Sequence, residues 1–134
     1  MLPIFVSFAL PTRTQRNHRP SPLPEVTMAN FEVSSEPRAG ELVVRVSGDL
    51  DLAAFDEVNE LLTKAQSDGY RGVRIDLRSL EFIDSSGIRL LLKAHKRAEK
   101  KGDEFCIVRG SERIQRVFAL TDLDARLPFC DDEA

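Results

Sequence analysis

The sequence predicts a mixed α/β domain, a β-sheet opened by an antiparallel hairpin with helices packed against it. Three observations predict this. Apolar and polar residues alternate in several short runs, as half-buried strands require. Turn chemistry at Pro37-Arg38-Ala39-Gly40 joins the first two of those runs. Stretches of helical period separate the later strands, and such connections are right-handed crossovers in nearly all known cases. The chain has 134 residues, which suits one domain with its own core.

The elements follow in order. Phe31-Glu32-Val33-Ser34 alternates, and beyond the turn Leu42, Val44 and Val46 share one face of a second strand while Val43, Arg45 and Ser47 share the other. Ser47-Gly48-Asp49-Leu50-Asp51 reads as a loop, with Asp51 able to cap a helix in which Phe55, Val58, Leu62 and Ala65 recur at helical spacing. Gly69 sits where a left-handed glycine follows a helix. Val73, Ile75 and Leu77 give a third strand, and residues 78–83 read as a linker into Asp84-Ser85-Ser86-Gly87. A second helix is predicted from about Ser86 to Lys101, with Ile88, Leu91, Leu92, His95 and Ala98 inward and its basic end matched to the helix dipole. Phe105-Cys106-Ile107-Val108 reads as a buried strand. Ser111 caps a third helix that turns Ile114, Val117 and Phe118 inward, and Arg126-Leu127-Pro128-Phe129 offers a last strand, with Pro128 tolerated only at an edge.

Five of the seven prolines fall within the first 24 residues, and the stretch from Thr12 to Pro24 has almost no apolar residues. The apolar run Leu2–Leu10 ahead of it is far shorter than the ~20 residues of a membrane span. It also lacks the basic n-region and clear cleavage site of a signal peptide. Met28 opens the strand-like patterning. The expectation is a domain over residues 29–134, preceded by an extension over residues 1–28 that is disordered or mis-annotated, with Met28 as the natural start.

Net charge is −3, and acids and bases mix along the chain, so the charge stripe of a nucleic-acid binder is missing. No membrane association and no cofactor are expected. Cys106 and Cys130 stand in no CxxC pattern, which argues against zinc and reads as two reduced thiols in a cytoplasmic protein.

The segment with chemistry in it is Asp84-Ser85-Ser86-Gly87, between a strand and a helix. Taken alone, Asp and Ser before an amphipathic helix are ordinary caps. The same geometry has a second use. A helix N-terminus carries unpaired N–H groups and partial positive charge, so a phosphate added there is stabilised. It brings roughly −1.5 to −2 charges to a surface that already holds Asp84. A partner docked on that helix end would then be repelled without any unfolding.

Residues Ile75 to Ile88 resemble the signature of STAS domains of the bacterial anti-sigma factor antagonist type: strand, loop with an acid, then Asp-Ser-Ser/Thr-Gly-Leu/Ile. Gly48-Asp49-Leu50-Asp51 resembles a second element of that family, and the likeness covers roughly residues 29–130. It implies a STAS-like fold and phosphorylation at Ser85, with Ser86 as the cap or a lesser site. It also implies a partner-binding surface of Asp49, Asp51, Asp84, Ser85, Ser86, Gly87, Ile88 and Arg89, where Gly87 lets another backbone approach the helix start. The implied partners are an anti-sigma factor that is a serine kinase, bound by the dephosphorylated form so that a sigma factor is freed, and a metal-dependent serine phosphatase. Arg89 departs from the small residue usual at its position; it either shifts partner preference or is simply solvated.

Leu90 and Ala94 lie off the main apolar stripe, and two readings stand for them: core, or partner contact. The basic face of the second helix is a solvated face or a steering surface for an acidic partner. His95 reads as a core or boundary histidine. An enzyme is not expected: Gly-x-Ser-x-Gly is absent, and His95 lies ~15 Å along the helix from Ser85. The rival reading is a STAS adaptor that is not phosphorylated, in a lipid-transport or stressosome-like complex. A third class, a small-molecule sensor, requires a pocket.

Overall fold

The structure is a computed structural model; it describes residues 23, 25–28 and 30–131. His18, the Leu2–Leu10 run and most of the proline-rich segment lie outside the described residues. Among the described residues six strands and three helices follow in the order β1 (Val26–Met28), β2 (Phe31–Arg38), β3 (Glu41–Leu50), α1 (Leu52–Ala65), β4 (Gly72–Ile83), α2 (Ser85–Lys101), β5 (Glu104–Val108), α3 (Glu112–Leu120) and β6 (Phe129–Cys130). The strands lie in the sheet in chain order. β1, β2 and β3 pair antiparallel, while β3, β4, β5 and β6 pair parallel, so the sheet is mixed as expected. Among the described residues no helix is long and apolar enough to cross a membrane.

The β2–β3 hairpin closes through Ala39 and Gly40, both at positive φ, the conformation a two-residue hairpin turn demands. The period-2 pattern then sorts the two faces of the sheet. Val33, Leu42, Val44, Ile75, Leu77 and Ile107 join one continuous core with Val58 and Leu62 of α1, Leu90 and Leu91 of α2, and Ile114 and Phe118 of α3. Among the described residues the opposite face carries no helix, and it is largely polar. There Arg78 grips the buried Asp76 with two guanidinium nitrogens, Nε to Oδ1 at 3.0 Å and Nη2 to Oδ2 at 2.8 Å, and Arg45 stands 3.7 Å away. Burial works to raise the Asp76 carboxyl. The hydrogen bonds and charge of Arg78, with Arg45 behind it, outweigh that and hold it below the usual carboxylate range.

Several expectations are corrected. The packed region starts upstream of residue 29: Leu23 is buried in the core, its N–H donates to Ser35 Oγ at 2.9 Å, and Val26 pairs with Val33. Residues 47–50 and 78–83 are strand, not loop and linker. Their register explains the misreading. Against β3, β4 carries an extra residue at two places, between the Arg45–Asp76 and Ser47–Ser79 pairs and between Gly48–Leu80 and Asp49–Phe82. Each bulge resets the alternation, so Leu77, Leu80 and Ile83 face the core at a spacing of three. Gly48 sits at φ 86°, where a Cβ would stand 2.3 Å from the Asn30 carbonyl oxygen, so no larger residue fits.

Leu90 is fully buried, which makes it core rather than a partner contact, and Ala94 is buried beside it. The inner face of α2 is therefore broader than the predicted stripe, while Leu92 and His95 lie at its margin, His95 stacked on Phe105 with centroids 5.9 Å apart. Cys106 and Cys130 are not two separate thiols. A disulfide joins them between neighbouring strands β5 and β6, with Cα atoms 6.1 Å apart. Their distance in sequence concealed this, because only the return of the chain past α3 brings them together.

Candidate functional site

Two parallel strands end side by side, and each feeds a helix. Leu50 at the end of β3 is in register with Ile83 at the end of β4, and Asp84 N–H donates to the Leu50 carbonyl at 3.3 Å. Asp51 and Asp84 then occupy equivalent positions as N-caps of α1 and α2. Asp51 Oδ1 accepts from Ala54 N–H at 3.3 Å; Asp84 Oδ1 accepts from Ser86 N–H at 2.9 Å and Gly87 N–H at 3.2 Å. Neither helix has an acid in its first turn, so two helix ends with partial positive charge lie next to each other.

Because an aspartate caps α2, the serines are left for other uses. Ser85 is exposed, and among the described residues no side-chain hydrogen bond holds its hydroxyl. Ser86, expected as the cap or a lesser site, is buried at 6 % exposure; its backbone N–H, not its hydroxyl, serves the cap. Gly87 and Ile88 are buried as well. A Cβ on Gly87 would stand 2.5 Å from the Leu50 carbonyl oxygen and 2.7 Å from Ile83 Cγ1. The glycine thus lets the first turn of α2 seat against the end of β3, the close backbone approach its position predicts.

Of the eight residues read from the sequence as a surface, the structure gathers all at this end of the sheet but splits them by depth. Asp49, Asp51 and Asp84 are half-buried, Ser85 and Arg89 are exposed, and Ser86, Gly87 and Ile88 lie beneath. Arg89 is not merely solvated: its guanidinium carbon sits 5.4 Å from the centroid of Phe55 on α1, with Lys93 Nζ at 6.0 Å, a cation–π contact across the two helices. Sequence reasoning missed two apolar residues. Leu52, the first residue of α1, is 69 % exposed, and Phe82, two residues before Asp84, is 49 % exposed. Leu52 falls on no apolar stripe of its helix, which was the available signal; Phe82 was hidden by the second bulge of β4.

Depressions also lie away from the two helix starts. One of about 250 Å³ on the bare sheet face is lined by Glu25, Ser34, Arg45, Ser47, Asp76 and Ser79 among others. It is shallow and of mixed charge, unlike the enclosing apolar clefts in which small ligands are usually held.

The sheet in this strand order, with a capped serine-bearing helix start beside a Gly-Asp-Leu-Asp strand end, makes this a mixed α/β domain with three helices on a six-stranded sheet among the described residues. The family model described as the STAS domain matches residues 30–134, and the chain belongs to that family. An anti-sigma-B factor antagonist of Staphylococcus aureus is 32 % identical over 94 residues, covering 70 % of this chain and 85 % of that protein. The crystal structure of an anti-sigma factor antagonist from Mycobacterium paratuberculosis superposes with a TM-score of 0.68 at 26 % identity, over 74 % of this chain and 84 % of that one. The phosphorylated form of the Bacillus cell fate determinant SpoIIAA shares the fold, with a TM-score of 0.58 at 20 % identity over 75 % and 92 % of the two chains.

Proposed function

We propose that this chain is an anti-sigma factor antagonist, switched by phosphorylation of Ser85. The observation that carries the reading is the exposed Ser85 hydroxyl at the start of α2, left unoccupied because Asp84 supplies the cap. The name of the Staphylococcus aureus relative supports the antagonist role, and the phosphorylated form of the Bacillus neighbour supports a switch of this kind.

In this reading the dephosphorylated protein docks the α1 and α2 starts on an anti-sigma factor that is itself a serine kinase, and a sigma factor is released. Leu52 and Phe82 supply apolar contact around Ser85, with Asp49, Asp51 and Arg89 as the polar rim. The kinase transfers the γ-phosphoryl group of ATP to Ser85 Oγ, and the hydroxyl proton leaves to a base on the kinase. The new dianion is stabilised by the helix end. It also stands among Asp49, Asp51 and Asp84, so the docking surface becomes strongly negative and hydrated, and the partner is lost. A metal-dependent serine phosphatase reverses the step. The protein works as a regulator in the cytoplasm and is not an enzyme.

The test is incubation with the anti-sigma factor and ATP, read by intact mass and fragmentation. One phosphate on Ser85, absent in Ser85→Ala, is expected, with Ser85→Asp binding the kinase about tenfold or more weakly, about 1.4 kcal/mol. Constitutive binding without phosphate uptake would instead indicate the adaptor role; a phosphate on Ser86 would overturn the site.

A further inference from the structure

The bare face of the sheet holds a second chemical group, far from Ser85. Cys106 and Cys130 are bonded across the β5–β6 pair, both residues are half-buried, and Arg74 of β4 donates from Nη1 to Cys130 Sγ at 3.3 Å and to Cys106 Sγ at 3.6 Å. Arg74 is held in turn by Glu41, its Nε 3.5 Å from Oε1. The bond closes a 24-residue separation that contains all of α3.

What else holds β6 is slight. The strand has two residues, tied by Ile107 N–H to the Pro128 carbonyl at 2.9 Å and Arg109 N–H to the Cys130 carbonyl at 3.0 Å. Phe129 adds an edge-on contact to Phe118 at 4.9 Å, and Arg109 an exposed ion pair to Asp131 at 3.1 Å. A two-residue edge strand that runs out into exposed Asp131 belongs to the low-stability end of a fold. Leu127 in the core and Phe129 packed against it anchor the approach to the strand, and the covalent bond adds a tether that redox chemistry can remove.

We infer that Cys106 and Cys130 form a reversible redox clasp, with the Arg74 guanidinium lowering the barrier to its opening, so that thiol redox state sets whether the C-terminal strand is fixed to the sheet. A guanidinium beside both sulfurs stabilises negative charge on sulfur, the species through which disulfides exchange. Disulfides in a cytosolic protein are usually transient, catalytic or redox-sensing; for that setting the inference rests on the reading above. The reaction balances as two exchanges. A thiolate of a small dithiol or glutathione attacks one sulfur, breaking the protein S–S bond and leaving a mixed disulfide. A second small thiolate displaces the protein sulfur. Two electrons pass to the cysteines, which take up two protons, and one small-molecule disulfide is released. Oxidised glutathione drives the reverse.

The experiment places the full chain in a graded series of reduced and oxidised glutathione without denaturant, traps thiols by alkylation, and follows hydrogen exchange by mass spectrometry. Both cysteines are expected to become alkylated together and to re-form the bond on re-oxidation. On reduction, exchange in residues 129–131 should rise about tenfold or more while the start of α2 is unchanged, and Tm should fall by about 10 °C. Arg74→Gln should slow exchange several-fold, with Arg74→Lys partly restoring it; Cys130→Ser should show the fast C-terminal exchange in every buffer. A bond that opens only in denaturant, thiols that stay free in the most oxidising buffer, or C-terminal exchange indifferent to redox state would each overturn the clasp. Phosphorylation of Ser85, scored in the same samples, reports on the antagonist reading separately.

Discussion

Helices α2 and α3 each begin where a parallel strand of the same sheet ends, each behind a short polar residue that caps it, and each with a serine among its first positions. The two serines are nevertheless in different situations. In α3 the serine is the cap: Ser111 Oγ accepts from Ile114 N–H at 3.3 Å, and Glu112 in the first turn sets negative charge against the helix dipole. In α2 the cap is Asp84, which satisfies two N–H groups with one oxygen, and the first turn has no acid. One helix start has its hydroxyl and its charge already used. The other leaves a free hydroxyl at an end that still attracts an anion. Identical residue types at a helix start therefore do not make equivalent sites; the identity of the cap decides which oxygen is available.

The strongest way to break this comparison is a kinase assay on both serines. Ser85→Ala should abolish phosphate incorporation, while Ser111→Ala should leave it intact; incorporation that follows Ser111 would reverse the assignment. Next come the glycines ahead of each helix core. Gly87→Ala drives a Cβ to 2.5 Å from a carbonyl oxygen, and Gly110→Ala drives one to 2.9 Å from the Leu77 carbonyl. Urea denaturation should show a loss of about 2–3 kcal/mol for the first and nearer 1 for the second. Equal losses would mean that the close seating of α2 is not special.

Exposed leucines give a third contrast. Leu52→Ser at the start of α1 should weaken binding to the anti-sigma factor roughly five- to thirtyfold, about 1–2 kcal/mol. Leu120→Ser, at the far end of α3 and 80 % exposed, should leave titration calorimetry unchanged. The smallest effect separates the caps: Asp84→Ala should cost about 1–2 kcal/mol and Ser111→Ala about 0.5–1, read as shifts in the urea midpoint.

Much of this was legible in the sequence, because short-range patterns record short-range physics. The alternation through Leu42, Val44 and Val46 names a strand and its inner face. The helical spacing of Phe55, Val58, Leu62 and Ala65 names α1. Asp-Ser-Ser-Gly between a strand and a helix marks the candidate site, and with Gly48-Asp49-Leu50-Asp51 it names the family. Each signal lies within a few residues, where pleat and helix pitch act directly on side-chain direction.

Tertiary structure decided the remainder. That Ser85 faces solvent while Ser86 is covered depends on where the end of β3 meets α2. Two bulges, visible only against the β3 register, turn residues 78–83 from linker into strand and expose Phe82. Leu90 is core because α2 lies on a sheet broad enough to cover both sides of its stripe. Cys106 meets Cys130 only once α3 has carried the chain back beside β5. All four outcomes are contacts between segments distant in the chain, and a local pattern carries no record of its distant neighbours: the burial of a side chain is a property of what packs upon it.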